Sequence, residues 1–175
     1  NIYGLNPDSG CFLGVDIKKF KVNIALINFK GGLVGEVHSE PFFYENTQES
    51  FDELCQIITN YVDKLTLPKS KILSVGINIS GRVNTQTGHS YSLYYFNERP
   101  LTEVFHERLG LHVTIDNDSR SMAYGEFMNG VVKDEKNIFF INVSWGLGMG
   151  VIVDGKLYYG KSGFSGEFGH IPVFD

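Results

Sequence analysis

Three apolar runs in close succession limit the fold more than any other feature of the chain. "CFLGVDI" (11–17), "KVNIALINF" (21–29) and "GLVGEVHSEPF" (32–42) are rich in β-formers and separated by only a few residues, with Gly31-Gly32 as the turn between the second and third. Connections that short join antiparallel neighbours, because a parallel pair needs a long crossover. The chain therefore opens as a β-meander. A different period follows at once. Phe51, Leu54, Cys55, Ile58, Tyr61, Val62 and Leu65 recur at helical spacing, Thr47 and Ser50 supply N-cap candidates, and Pro68 ends the run.

From there helices and strands alternate. "KILSVGINIS" reads as a buried strand, and "GRVNTQTGHSYSLYYF" as turn residues followed by aromatics. Pro100 starts a short helix that Gly110 closes, and "LHVTID" is a strand. Asn117 or Asp118 caps the helix "SRSMAYGEFMNG". "NIFFINVSW" and "GMGVIVDGKLYYG" read as a hairpin, with Asp154-Gly155 a tight turn of its own, and "GHIPVFD" reads as a strand. The order predicts an α/β fold with a mixed sheet. Its 175 residues suffice for one domain or two small lobes, and 42% hydrophobic residues suffice for a core. The net charge of -5 argues against this segment being a nucleic-acid grip, which needs clustered Lys and Arg. Cys11 and Cys55 are too few for a disulfide framework and fit a reducing cytoplasm. No apolar run approaches the roughly 20 residues of a membrane helix.

Four clusters carry candidate chemistry: "DIKKFK" (16–21), "GINISGRVN" (76–84), "DNDSRSMAYGE" (116–126), and the stretch from Ser144 through "GFSGEFGH" to His170. Asp118 lies at a strand-to-helix junction, where open α/β sheets place their ligands; it is equally a good helix cap, and the two roles are compatible. Glu167 and His170 stand three residues apart in a glycine-rich loop. Together they offer acceptors and a donor that suit the adjacent hydroxyls of a polyol; an ordinary surface loop would look the same. His38, His89, His106 and His112 have no partner at ligand spacing and read as bystanders. The density of glycine in "SWGLGMG" (144–150) suits a phosphate-wrapping loop, but Trp145 does not.

Together and in order, these clusters resemble the ROK family (repressor, open reading frame, kinase) of the actin-like ATPase superfamily. "GVDI" with "IALINFKGGLVGE" is similar to the family's opening hairpin, "GINISGRVNTQTG" to its Gly-rich strand and turn, and "IDNDSRSMAYGE" to its Asn-Asp element. "GLGMGVIVDGKLYYGKSGFSGEFGH" is similar to the family signature. The resemblance implies an actin-like ATPase (ribonuclease H-like) lobe in the order βββαβαβ, plus the start of a second lobe. It implies a sugar in the interlobe cleft, contacted by Asn117, Asp118, Glu167 and His170, with Gly81 letting the backbone pass close by. In the kinases the aspartate matching Asp118 is the general base. The histidine matching His170 is usually a ligand of a structural zinc whose three cysteines lie just downstream; the chain ends before them, so no cofactor is expected within it.

The departures from the family pattern set the functional expectation. The kinases carry Gly-Gly-Thr where this chain has Lys18, Lys19 and Phe20, and Gly-Thr where it has Ser144 and Trp145. A phosphate needs close backbone approach and short hydroxyl donors. Bulk at Phe20 and Trp145 removes both, and the two lysines do not replace the lost tight turn, so ATP is not expected. The pattern resembles the repressor branch, which puts a winged helix-turn-helix before the sugar-binding lobes. The expected reading is thus a sugar-sensing module of a cytoplasmic, homo-oligomeric regulator, with no membrane contact and no phosphoryl transfer. Its operator DNA would be read by a module upstream of Asn1. An ATP-dependent sugar kinase is the alternative, because Asp118 is intact. Residues 1–10 are expected as a linker, 11–115 as the first lobe and 116–175 as the beginning of the second.

Overall fold

A computed structural model describes residues 3–172 of the chain. After a 3-10 turn at Pro7–Ser9, the meander forms as β1 (Cys11–Ile17), β2 (Lys21–Asn28) and β3 (Leu33–Pro41). Helix α1 (Gln48–Asp63) then crosses to β4 (Ile72–Ile79). A short hairpin of β5 (Val83–Asn84) and β6 (His89–Ser90) leads to α2 (Leu101–Leu109), β7 (Val113–Asn117) and α3 (Asp118–Asn129). The described part closes with β8 (Ile138–Val143), β9 (Leu147–Val153), β10 (Lys156–Leu157) and a 3-10 turn at Phe168–His170.

The first sheet has the order β3-β2-β1-β4-β7. Strand β1 is antiparallel to β2 but parallel to β4, and β4 is parallel to β7, so the sheet is mixed. Alternation sets its buried face: Leu13, Val15 and Ile17 of β1, Val22, Ile24 and Leu26 of β2, and Val75, Ile77 and Ile79 of β4 all point to one core. Phe51, Leu54 and Ile58 of α1 and Phe105 of α2 cover that face. Thr47 caps α1, its side chain accepting from the backbone N–H of Ser50. Gly110, at φ 62°, ends α2 in the left-handed conformation that glycine tolerates best. The second sheet, β10-β9-β8, packs its central strand against α3. Asp154 and Gly155 both have positive φ (49° and 74°), the turn geometry that a two-residue hairpin requires.

The sequence expectation fails at two places. "GRVNTQTGHSYSLYYF" is not only turn: Val83–Asn84 pairs with His89–Ser90. Two-residue strands leave too short a pattern to read. Of the aromatics after it, Tyr94 joins Leu93 in the core, while Tyr91, Tyr95 and Phe96 are exposed. The strand expected in "GHIPVFD" begins in the 3-10 turn, and residues 173–175 lie outside the described residues.

Both cysteines are free and buried on this core. Burial pushes the Cys55 thiol up to about 12 from 9.0, with the nearby Arg108 charge opposing the shift. Burial thus favours the neutral thiol, so its contribution to stability is complete below the unfolded thiol's range. It is lost as pH rises from about 9 toward 12, where only the unfolded chain releases the proton. Native protein at pH 8.5 should leave Cys55 unmodified by iodoacetamide, while protein in urea is alkylated there, as peptide mapping would show.

Candidate functional site

Strands β1, β4 and β7 run parallel, and their carboxyl ends open on one cavity of about 380 Å³. That is where α/β sheets hold ligands, and the volume lies in the small-molecule range. The turn after β1 contributes Lys18 and Lys19, the end of β4 contributes Ser80 and Gly81, and the β7–α3 junction contributes Asn117 and Asp118. The β8–β9 turn adds Ser144 and Trp145, and the terminal loop adds Glu167 and His170. All five residues expected at a sugar therefore meet on one cavity, from three segments far apart in sequence.

Their individual bonds differ. Asn117 is the cap of α3: its Oδ1 accepts from the Arg120 N–H at 3.0 Å. Its Nδ2 donates to the Gly81 carbonyl at 2.9 Å, leaving one amide hydrogen free. Gly81 sits at φ 88°, and a Cβ there would collide with Ser92, so no other residue fits this close approach. Asp118 is the first residue of the helix and is buried. Its Oδ1 accepts from the backbone N–H and, more weakly, the hydroxyl of Ser119 (2.7 and 3.3 Å), and its Oδ2 from the Ser80 hydroxyl at 2.9 Å. A carboxylate offers about four acceptor sites, so one remains on Oδ2 for a ligand. Glu167 and His170 approach each other at 3.5 Å on the same cavity, the imidazole well exposed.

The substituted phosphate positions hold a different surprise. The turn at Lys18, Lys19 and Phe20 is not lost; the Lys18 N–H donates to the Lys21 carbonyl at 2.9 Å and keeps it tight. Phe20 does not line the cavity; it packs edge-on against Trp145 with ring centres 5.3 Å apart, backed by Phe43 at 5.8 Å. The Lys19 ammonium rests 4.4 Å from the Trp145 ring centre and 5.4 Å from that of Phe20. Two departures 125 positions apart thus meet as one cluster joining the β1–β2 and β8–β9 turns.

The glycines of 144–150 serve packing. A Cβ on Gly148 would strike Ser119, and one on Gly150 would strike Ala123 and the Ser119 carbonyl. These absences bring β9 against the start of α3. A Cβ on Gly166 would likewise strike the Met149 carbonyl, where the terminal loop bonds β9 through Met149 N–H to Gly166 O (3.1 Å).

Several site residues escape sequence reasoning. Ser80 adjoins Gly81 in the same motif and was legible as a hydroxyl beside Asp118 only once the two strands were paired. Tyr44 lines the cavity from the loop after β3, outside every motif. Arg120 is fully buried beneath the site. Its Nε donates to Asp116 at 2.8 Å, Nη2 to the Val83 carbonyl at 3.1 Å, and Nη1 to the Gly163 carbonyl. His38 stays outside the cavity, where it bonds Glu40 at 3.0 Å and lies tilted against Tyr61. Strand alternation puts the two residues on one face. For a structural zinc the residues do not fit. Among the described residues no three metal-ligating side chains cluster, and both thiols lie in the first core, away from His170.

A sheet of this topology with its ligand-sized cavity at the parallel strand ends defines an α/β protein of the actin-like ATPase kind. Residues 12–175 match the family model described as ROK family, and the chain belongs to that family. It is 30% identical over 172 residues to the xylose repressor of Caldicellulosiruptor bescii, covering 97% of this chain and 43% of that protein. It is 31% identical over 166 residues to the glucokinase of Streptomyces coelicolor, covering 94% and 50%. The chain thus spans about half the length of these curated relatives. Among solved structures, it is similar to a ROK family glucokinase from Streptomyces griseus in complex with glucose and AMPPNP. There the TM-score is 0.78 and the identity 26%, over 94% of this chain and 51% of that one. It is also similar to a ROK family transcriptional regulator, a homolog of the E. coli MLC protein, with TM-score 0.74, 25% identity, and coverage of 95% and 42%.

Arg120 tests how the site is held. Arg120→Ala should cost about 3–5 kcal/mol in urea unfolding, since it strands Asp116 and two carbonyls. Adding Asp116→Ala should cost much less than its own single-variant loss, because the partner is already gone.

Proposed function

We propose that the chain is the effector-sensing module of a ROK transcriptional regulator, binding a sugar without transferring phosphate to it. The observation that carries this reading is the Phe20–Trp145 contact with Lys19 perched on the indole. Phosphate seats need small residues whose amides and hydroxyls reach the oxygens. Here both turns carry aromatics packed on each other at that place. The sugar-facing positions keep polar groups: one open acceptor on Asp118, one open N–H on Asn117, and the Glu167–His170 pair.

In this reading sugar hydroxyls donate to Asp118 and Glu167 and accept from Asn117 and His170. With no phosphoryl donor, Asp118 acts only as an acceptor. The sugar shifts DNA affinity to the extent that it binds two conformations unequally. Operator contact belongs to a DNA-reading module outside the chain, and assembly as a homo-oligomer couples one reader to the other. Relatives described as xylose repressors support the regulatory side.

A sugar kinase is the second reading. It is favoured by the buried Asp118 carboxylate held by Ser80, by the tight Lys18–Lys21 turn, and by glucokinases among the relatives. Calorimetry separates the two. Under the regulator reading, magnesium-ATP at about 5 mM gives no thermal shift while a sugar does, and labelled γ-phosphate never reaches glucose. The double variant Phe20→Thr, Trp145→Thr should gain nucleotide affinity by at least about tenfold. Label transfer by the unsubstituted protein would establish the kinase instead.

A further inference from the structure

We infer that Ser80 contacts the ligand directly, and that Ser80 and Asp118 form a paired acceptor that selects for two adjacent hydroxyls at that wall of the cavity. The inference rests on the sugar-sensing reading and adds to it a residue that sets specificity.

A count of protons fixes the polarity of this wall. A serine hydroxyl has one proton and two lone pairs, and an ionised carboxylate has no proton to give. The Ser80 Oγ lies 2.9 Å from Asp118 Oδ2, so Ser80 is the donor and its only proton is committed there. Ser80 is exposed and lines the cavity, and among the described residues its lone pairs accept from no side chain or backbone N–H. It therefore meets a ligand as an acceptor. Asp118 does the same through the free site on Oδ2, because its Oδ1 is occupied by the N–H and the hydroxyl of Ser119. Two acceptor oxygens thus stand 2.9 Å apart, with the one proton between them already shared.

Such a wall discriminates. Adjacent hydroxyls of a sugar ring hold their oxygens at a similar spacing, and each can donate a hydrogen. A ring ether, a carbonyl or a methyl ether in either place sets lone pairs against lone pairs and leaves the buried Asp118 oxygen unpaired. Both acceptors are also fixed before a ligand arrives. Asp118 is buried at the first position of α3. Ser80 follows β4 directly and precedes Gly81, whose φ of 88° and close approach to Ser92 shape the turn. The Ser92 hydroxyl oxygen accepts from the Arg82 N–H at 2.9 Å, and Asn117 Nδ2 donates to the Gly81 carbonyl at 2.9 Å, so the chain is pinned just past Ser80. A hydroxyl on a turn held this way loses little freedom on binding.

Calorimetry on the full-length protein, with glucose, xylose and the monodeoxy forms of whichever binds, tests the pair. Ser80→Ala should weaken the parent sugar about three- to tenfold. Ser80→Thr keeps the hydroxyl and should bind as the unsubstituted protein does. One deoxy form should bind the unsubstituted and Ser80→Ala proteins equally, since the hydroxyl that Ser80 meets is already missing. Toward a second form, lacking the neighbouring hydroxyl, Asp118→Asn should cost nothing further. Three results overturn the inference and leave the sugar-sensing reading intact: unchanged affinity of Ser80→Ala for the parent sugar, an equal loss toward every deoxy form, or Ser80→Thr as weak as Ser80→Ala. It is likewise overturned if Ser80→Ala and Asp118→Asn are silent toward the same form alone, because Ser80 then acts only through Asp118. Binding of neither sugar overturns both.

Discussion

The site depends on a buried cation that touches no ligand. Arg120 extends from the first turn of α3 beneath the cavity and bonds to Asp116 on β7, to the Val83 carbonyl on β5 and to the Gly163 carbonyl in the terminal loop. Tyr159 adds its ring face 5.4 Å from the guanidinium and points its hydroxyl toward Asp116 at 3.5 Å. Burial raises the pKa of that phenol, and the Asp116 charge raises it further. A guanidinium cannot lose its proton, so its desolvation must be offset by partners in fixed directions. Satisfying it fixes three segments at once. The loop bearing Glu167 and His170 is thereby tied to the helix start bearing Asp118.

A second constraint operates through Asn117. One amide closes the helix N-terminus with its oxygen and holds Gly81 with its nitrogen. Capping and site assembly are therefore the same event. At the Asn-Asp pair Asn117 caps the helix, and Asp118 keeps an unused acceptor site toward the cavity. The glycines of β9 act in concert with it, by letting the strand approach α3 closely enough for the Asn142 amide to reach the Ser119 hydroxyl at 3.2 Å.

Against this scaffold the β1–β2 and β8–β9 turns are both closed and carry bulky side chains. The backbone turn at Lys18 is closed, and Trp145 lies within a turn closed from Ser144 N–H to Gly146 O at 3.0 Å. Fold and family model agree on a ROK protein, and repressors and glucokinases are both among its relatives.

What the sequence determined by itself was local. Alternation in β1 and β2, the helical period of 51–65, the Thr47 cap, the Asp154-Gly155 turn and the mixed α/β order are all encoded by neighbouring residues, whose conformational preferences act over a few positions. The ordered motifs also pointed to Gly81, Asn117, Asp118, Glu167 and His170. Only the tertiary structure decided which of these share a cavity, because parallel strand pairing brings together segments separated by dozens of residues. It likewise decided that Phe20 would reach Trp145, that Lys19 would lie on the indole unpaired, and that Arg120 would be buried rather than solvated. Contacts of that kind depend on chain crossings, and no local spacing in the sequence records them.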